Sequence, residues 1–322
     1  MREDELRPRG GPAGSSAPVV TRSRVVLEIA CELVAEGPWP RQAQVRLRQQ
    51  GGTSWERCLF GSDAPGAIEE VASGAVDLAI ANPSAPVEVA YRGKGPFERP
   101  LPLRTISVIP SADMFLFAVA ERTGLTSLAE IGEKRYPLRI SMRGQPDHAI
   151  YFLANTVLGA LGFTLDDIAS WGGAVTHHRF PPDVAAVGRG EIDAIFDEAA
   201  YNWGNRALEG GMRVLPVEEP LLGTVEDMGF RRAVMSAAEF PALRGEITTL
   251  DFSGWPIYTR EDVSAEFIRS CCAALEARKH SIPWQEPGPL PLERMCRDAR
   301  DTPLPAPLHP AAEAYWRERG YL

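Results

Sequence analysis

Short apolar runs alternate along this chain with segments whose apolar residues recur at the spacing of a helix. The unit strand–turn–helix–strand occurs near residues 59–81 and again near 138–196, where the final strands are predicted at 76–81 (VDLAIA) and 192–196 (IDAIF). Strands that alternate with helices are typical of mostly parallel sheets joined by right-handed crossovers. The sequence therefore predicts an α/β protein with two similar lobes, each a mostly parallel sheet flanked by helices.

The segments around these units predict further elements. Residues 82–102 are rich in Gly and Pro and predict a loop, and the apolar runs 105–110 and 114–120 predict two strands. The last third departs from the alternation. It contains amphipathic patterns at 265–278 and 311–319, which predict two helices on either side of Pro-rich segments.

The order of these elements divides the chain. We expect lobe 1 to contain residues 23–113 together with 250–322, where a crossing segment returns the chain, and lobe 2 to contain residues 114–249. Residues 1–22 are polar and rich in Gly, Pro and Ser, which predicts a disordered tail. This tail has no apolar core, so we expect a cytoplasmic protein as written, or a periplasmic one if the true start lies upstream.

Composition limits the possible partners. The chain has 322 residues, enough for two α/β lobes, and a net charge of −9. An acidic chain repels phosphate backbones, which argues against nucleic acid as a partner. The longest apolar runs, such as 114–120, are far shorter than the roughly 20 residues of a membrane span.

Common cofactor and catalytic motifs are missing from the sequence. The five cysteines include no CxxC spacing, and His177 and His178 are adjacent, a spacing that does not suit metal binding. GxSxG, HExxH, P-loop and GxGxxG motifs do not occur. We therefore expect no metal, no cofactor and no recognisable set of catalytic residues.

Four segments carry a resemblance to a known family. They read GSDAPGAIEEVASGAVDLAIANPS from residue 61, LTSLAEIGEKRYPLRISMRGQPDHAIYFLANTVLGALGFTLDDI from residue 125, VGRGEIDAIFDEA from residue 187 and PLHPAAEAYWRERG from residue 307. Their order and spacing resemble the TAXI family, the solute receptors of TRAP transporters. The resemblance implies a two-lobed, type II periplasmic-binding-protein fold.

The same resemblance implies a function. It predicts a receptor that binds a small, anionic, carboxylate-bearing organic solute between its lobes and delivers it to a TRAP membrane permease. Fold alone does not determine function, and two alternatives stay open. The same fold hosts cytoplasmic decarboxylases of aromatic acids, and a cytoplasmic ligand sensor is a third candidate.

The best candidate binding residues follow a strand of lobe 2. Arg143 could form a bidentate pair with a ligand carboxylate, and Ser141 and His148 lie on the same strand-to-helix junction. Helix N-termini attract anions because their first N–H groups lack intrahelical partners. Arg143 could equally tie this loop to its own lobe.

Other candidates lie at equivalent junctions. Ser62 opens the helix after 59–61, where capping is the simpler alternative. Asn82 and Glu198 follow the buried strands of the two lobes, and a carboxylate there argues for a ligand that carries a hydrogen-bond donor. Trp203 and Trp255 lie beside turns or strand ends and could form an apolar wall, or could serve ordinary lobe packing.

Overall fold

The computed structural model describes residues 22–36, 42–48, 56–62, 65–144 and 148–322. The chain divides into two units, Met1–Arg41 and Gln42–Leu322. The first contains helix α1, Arg22–Glu36, whose apolar side chains are exposed, among them Val26 and Ile29. The tail predicted for residues 1–22 lies outside the described residues, apart from Arg22.

The first sheet of the second unit combines both ends of that unit. Its strand order is β1 (Ala43–Arg48), β2 (Glu56–Gly61), β3 (Leu78–Ile80), β12 (Trp255–Arg260) and β4 (Leu103–Ile109). The helices that accompany it in sequence are α2 (Gly66–Ser73), α3 (Ala85–Arg92), α10 (Ala265–Arg278), α11 (Leu292–Met295) and α12 (Pro310–Glu318). The last helix is held to the sheet by Trp316, whose Nε1 donates to the carbonyl of Ile106 at 2.9 Å.

The second sheet comes from the middle of the chain. Its strand order is β7 (Ala174–His178), β6 (Arg139–Arg143), β8 (Ala194–Asp197), β5 (Leu116–Ala120) and β9 (Met212–Val214). Its helices are α4 (Ala129–Glu133), α5 (Ala149–Gly159), α6 (Leu165–Ser170), α7 (Ala185–Gly188), α8 (Ala200–Glu209) and α9 (Leu221–Met228), and a ribbon of β10 (Arg231–Met235) and β11 (Ile247–Asp251) follows. Phe115, Phe117 and Phe196 pack together in its core.

The predicted α/β class with helix-flanked sheets is confirmed, but both sheets are mixed rather than mostly parallel. The pairs β2–β3, β6–β7 and β6–β8 are parallel. β12 lies antiparallel to both β3 and β4, and β5 lies antiparallel to both β8 and β9. An apolar run does not indicate in which direction its strand runs. The local pattern therefore could not predict that β5 and β12, which follow the crossings between the sheets, pair antiparallel with their neighbours.

Two crossing segments join the sheets, residues 110–115 and 252–254. The N–H of Phe252 donates to the carbonyl of Asp113 at 3.0 Å, and the N–H of Gly254 donates to Ser111 Oγ at 2.8 Å. Gly254 has a φ of 79°, and a Cβ there would meet Pro303 Cδ at 2.7 Å. Only glycine therefore suits this position without displacing its neighbours.

The loop predicted over 82–102 is wrong in part, because it contains helix α3. Pro86 lies in the first helical turn and Gly93 ends the helix with a φ of 65°, which are the positions that these residues favour in helices. The side chains from Pro83 to Ala90 are buried. Burial around the whole helix removes the apolar periodicity by which a surface helix is recognised.

Candidate functional site

Three adjacent strands of the second sheet end in polar side chains. β7 ends at His178, β6 at Arg143 and β8 at Asp197. Since β6 is parallel to both neighbours, the three side chains meet at one edge of the sheet. Glu198 follows β8, and Asp113 arrives on the first crossing segment. We call these five residues the Arg143 cluster.

Arg143 and Asp197 form the centre of the cluster. Arg143 Nε lies 3.0 Å from Asp197 Oδ2, and its Nη2 lies 2.5 Å from Oδ1. Asp197 is fully buried and also accepts hydrogen bonds from His178 Nε2 and the N–H of Ala199. Burial alone would raise the pKa of Asp197, but these hydrogen bonds and the charge of Arg143 outweigh it and hold that pKa below its ordinary value.

Ser141 and His178 extend this network. Ser141 Oγ lies 2.8 Å from His178 Nδ1, and His178 Nε2 lies 3.1 Å from Asp197 Oδ2. The order Ser–His–Asp resembles a hydrolase triad. Here, however, the charge of Asp197 is already compensated by Arg143, so the geometry is better suited to fixing the position of Arg143. The ring of Phe180 covers the guanidinium, with its centroid 4.6 Å from Arg143 Cζ.

Glu198 connects the cluster to the first sheet. Its Oε1 accepts from Asn82 Nδ2 at 3.4 Å, and Asn82 lies two residues after the end of β3 in that sheet. Its backbone carbonyl accepts from the N–H of Met114 on the crossing segment. Arg143 Nη1 lies 3.6 Å from Glu198 Oε1, an ion pair without a hydrogen bond. The site is therefore built from both sheets and from the crossing between them.

The pKa of Asp113 is strongly raised. Burial, with the negative charges of Glu198 and Asp197 adding to it and Arg143 opposing it, raises the pKa of Asp113 to about 8. Asp113 therefore holds a proton at neutral pH. Strongly shifted acidities of this kind concentrate at functional sites.

The first sheet contributes two buried polar atoms near the ends of its strands. Asn82 Oδ1 and Trp255 Nε1 are buried and have no hydrogen-bond partner among the described residues. Asn82 follows β3 and Trp255 starts β12, and the N–H of Ala81 donates to the carbonyl of Pro256 between them. An acceptor and a donor thus lie near each other on neighbouring strands.

The structure brings together Asn82, Ser141, Arg143 and Glu198 of the eight residues proposed from sequence. The other four have the following places in the structure. His148 caps α5, with its Nδ1 accepting from the N–H of Ile150 at 3.1 Å; Trp203 is buried in the core beside Phe240; Trp255 packs at the start of β12; and Ser62 is buried just after β2. Their contact with a ligand stays a prediction.

Sequence reasoning missed Asp113, His178 and Phe180. His178 and Phe180 belong to the segment that follows the edge strand β7, and the adjacent histidines were considered only as metal ligands. A signal was available, because His178 ends a strand beside Arg143 in the parallel register. No pattern in the neighbouring sequence marked Asp113 as a site residue, because the groups around it come from segments distant in sequence.

Other features lie away from the cluster or are missing from the described parts of the chain. A surface cavity of about 440 Å³ lies beside β9 and is lined by residues that include Arg213, Arg244 and Glu246, none of which belongs to the Arg143 cluster. In the ranges that the structure describes, we find no set of three or more His, Cys, Asp or Glu side chains suited to a metal ion. No helix within those ranges is long and apolar enough to cross a bilayer.

Comparison with family models gives a match over residues 63–320 to the NMT1-like family. The chain belongs to the NMT1-like family. This match covers the second sheet, the first sheet except β1 and β2, and all of the Arg143 cluster. No curated protein sequence matches this NMT1-like chain significantly.

Solved structures that resemble this NMT1-like chain are distant. The periplasmic aliphatic sulphonate binding protein SsuA of Escherichia coli is 17% identical, with a TM-score of 0.29, over 66% of this chain and 55% of that protein. PhnD1 of Prochlorococcus marinus, solved with methylphosphonate, is 12% identical, with a TM-score of 0.34, over 67% of this chain and 68% of that one.

The architecture of this NMT1-like chain is two helix-flanked mixed sheets joined by paired crossing segments, with polar side chains gathered where the sheets meet. The family match shows the NMT1-like family, and it does not show the more specific TAXI family that the sequence resembles.

Proposed function

We propose that this chain is the solute receptor of a TRAP-type transporter, and that it binds a small carboxylate-bearing organic solute at the Arg143 cluster. The observation that supports this function best is the set of contacts that the Arg143 guanidinium makes. It is held by the side-on pair with Asp197, whereas its Nη1 makes no hydrogen bond with any described residue and has only the longer ion pair with Glu198 there.

Arg143 has a second edge that suits a ligand. Its Nε and Nη2 form the side-on pair with Asp197, whereas Nη1 lies 3.6 Å from Glu198, beyond hydrogen-bond distance. The end formed by Nη1 and Nη2 can therefore receive a carboxylate. Because the side chain is 11% exposed, such a pair would be shielded from water and would gain strength from the low dielectric.

The first sheet offers complementary groups. Trp255 Nε1 can donate to the solute and Asn82 Oδ1 can accept from it, and both atoms are buried without a partner among the described residues. A solute that pairs with Arg143 on one sheet and with these atoms on the other would favour a closed arrangement of the lobes. Transient binding of this kind is what delivery to a permease requires.

The arginine is tested with a matched pair of variants. Arg139 forms the same side-on pair with Asp193 at the other end of β6, with both nitrogen–oxygen distances at 2.8 Å. We expect Arg143→Lys to weaken carboxylate binding by about 2–5 kcal/mol, because a point charge cannot replace the planar fork while it also holds Asp197. Arg139→Lys should keep the wild-type affinity.

The measurement starts from a library of small organic acids. An acid that binds the native state should raise Tm in a concentration-dependent way, and titration calorimetry then gives its affinity for each variant. If Arg143→Lys and the wild-type chain bind the acid with equal affinity, Arg143 is not the residue that binds the solute carboxylate. Uptake in vesicles carrying a TRAP permease, with and without this receptor, tests the transporter assignment, and fractionation of the native host tests localisation.

A further inference from the structure

The amide of Asn82 has a defined orientation beside the Arg143 cluster. Its Nδ2 lies 3.4 Å from Glu198 Oε1, and a carboxylate accepts hydrogen bonds but does not donate them. This contact therefore distinguishes the nitrogen of the amide from its oxygen. The oxygen, Oδ1, is buried and accepts no hydrogen bond from any described residue. Since a buried acceptor without a donor costs free energy, Asn82 is suited to a donor from a solute.

The indole of Trp255 lies across from Asn82. The N–H of Ala81 donates to the carbonyl of Pro256 at 3.1 Å, which continues the antiparallel register of β3 and β12. One residue further on each strand, Asn82 and Trp255 are opposite each other, at a position where side chains of neighbouring strands lie about 5 Å apart. Trp255 Nε1 is buried and donates to no described residue, so no hydrogen bond joins it to Asn82.

We propose that the solute is a short hydroxy acid whose hydroxyl binds between Asn82 Oδ1 and Trp255 Nε1 while its carboxylate binds Arg143. The inference rests on the proposed function, since it needs the carboxylate at Arg143. It adds the chemical group that the rest of the solute carries. A hydroxyl donates one hydrogen bond and accepts others, so this one group satisfies both buried atoms.

Other small polar groups satisfy only one of the two atoms. An ammonium donates to Asn82 Oδ1 but cannot accept from Trp255 Nε1. An ether or a second carboxylate accepts from the indole but cannot donate to the amide. In each case one buried polar atom keeps its desolvation cost without a hydrogen bond. The pair of atoms therefore selects a hydroxyl.

The distances place this hydroxyl close to the carboxylate. Glu198 Oε1 lies 3.6 Å from Arg143 Nη1 and 3.4 Å from Asn82 Nδ2, so these two nitrogens are within about 7 Å of each other. The oxygen of the amide lies about 2 Å from its nitrogen. Two hydrogen bonds of about 2.8 Å each take up most of the span from Arg143 to Asn82 Oδ1. The hydroxyl therefore belongs on C2 or C3 of the acid.

A series of three-carbon acids tests the hydroxyl directly. Propionate, each enantiomer of lactate, alanine and 2-methoxypropionate differ in the group on C2, and 3-hydroxypropionate carries its hydroxyl on C3. Their Kd values are measured by titration calorimetry on the full chain at one pH and one ionic strength. We expect lactate or 3-hydroxypropionate to bind about tenfold to a hundredfold more tightly than propionate. Alanine and 2-methoxypropionate should show no such preference.

The amide is tested with a matched pair of variants. Asn82→Leu should lower the preference for the hydroxy acid over propionate at least about threefold, because the hydroxyl loses its acceptor. Asn205 in α8 also has a buried Oδ1 without a partner among the described residues, and its Nδ2 donates to the carbonyl of Glu239 at 3.4 Å. It lies outside the Arg143 cluster, so Asn205→Leu should keep the preference.

The indole is tested in the same way. Trp255→Phe keeps an aromatic ring but removes Nε1, and it should also lower the preference. Trp284 packs against the same apolar cluster as Trp255, and its Nε1 donates to the carbonyl of Gly288 at 3.0 Å. Trp284→Phe should therefore keep the preference. Thermal melts of all four variants show that each one is folded before its Kd values are compared.

The outcomes separate this inference from the proposed function. If the hydroxy acids bind no more tightly than propionate, and binding is weakened in Arg143→Lys, the carboxylate site stands and the hydroxyl is refuted. Tighter binding of alanine than of lactate would assign an ammonium to this place and overturn the inference, as would a preference that persists in both Asn82→Leu and Trp255→Phe. If no acid of the series binds, or if all bind Arg143→Lys as well as the wild-type chain, the proposed function fails and the inference fails with it.

Discussion

Replacing Asp113 with Asn should stabilise the protein at neutral pH, and the gain should depend on pH. The structure keeps the pKa of Asp113 near 8, whereas the ordinary value of 3.8 applies to the unfolded chain. A carboxyl whose pKa is raised on folding contributes stability that is complete below the ordinary value. That contribution is lost progressively as the pH rises toward 8.

The magnitude follows from the distance between the working pH and the ordinary pKa. Keeping the proton on Asp113 costs about 1.4 kcal/mol for each pH unit above 3.8. The cost reaches about 4 kcal/mol at pH 7. An amide does not titrate, so Asp113→Asn avoids this cost. We expect a gain of about 2–4 kcal/mol, since the amide reproduces the neutral carboxyl without matching every hydrogen bond.

Urea unfolding of both proteins at a series of pH values measures this gain. The difference in unfolding free energy should be near zero at about pH 4 and should grow to its maximum near pH 8. Asp227→Asn, which removes an exposed carboxylate from α9, controls for the change in net charge and should give a difference below about 0.5 kcal/mol. An Asp113→Asn gain that is flat across this range would refute the assignment of a protonated Asp113.

Other perturbations test the fold around the site. Gly254→Ala should lower stability by about 2–4 kcal/mol, because its positive φ and the nearby Pro303 leave no room for a Cβ. Gly188→Ala, where a Cβ meets nothing within 4 Å, should be neutral or slightly stabilising in the same thermal melts. Trp316→Phe should cost about 1–3 kcal/mol in chemical unfolding, since the carbonyl of Ile106 loses a buried donor; no loss would show that this bond is replaced.

Local patterns in the sequence were sufficient to predict several of the helices and strands. The amphipathic period of 265–278 predicted α10, and the structure confirms Ala265–Arg278, capped by Ser264. The apolar runs predicted β3, β6 and β8 to within a few residues. Such features depend on contacts within a few positions along the chain, which the sequence states directly.

Part of the candidate site was predictable for the same reason. Asn82, Ser141, Arg143 and Glu198 follow or end predicted strands, and strand ends are where ligands bind in α/β proteins. Because a strand end is a local feature, these positions could be chosen without knowing the partner strands.

Only the tertiary structure decided the strand directions and the electrostatics of the cluster. Which carboxylate pairs with Arg143, and which one keeps a proton, depends on how segments more than 50 residues apart meet, as in the separation of 54 between Arg143 and Asp197. The acidity of Asp113 is a sum over burial and charges from several elements. Coulomb and desolvation energies depend on distance in space and on the surrounding dielectric, and neither quantity is encoded in the neighbours of a residue along the chain.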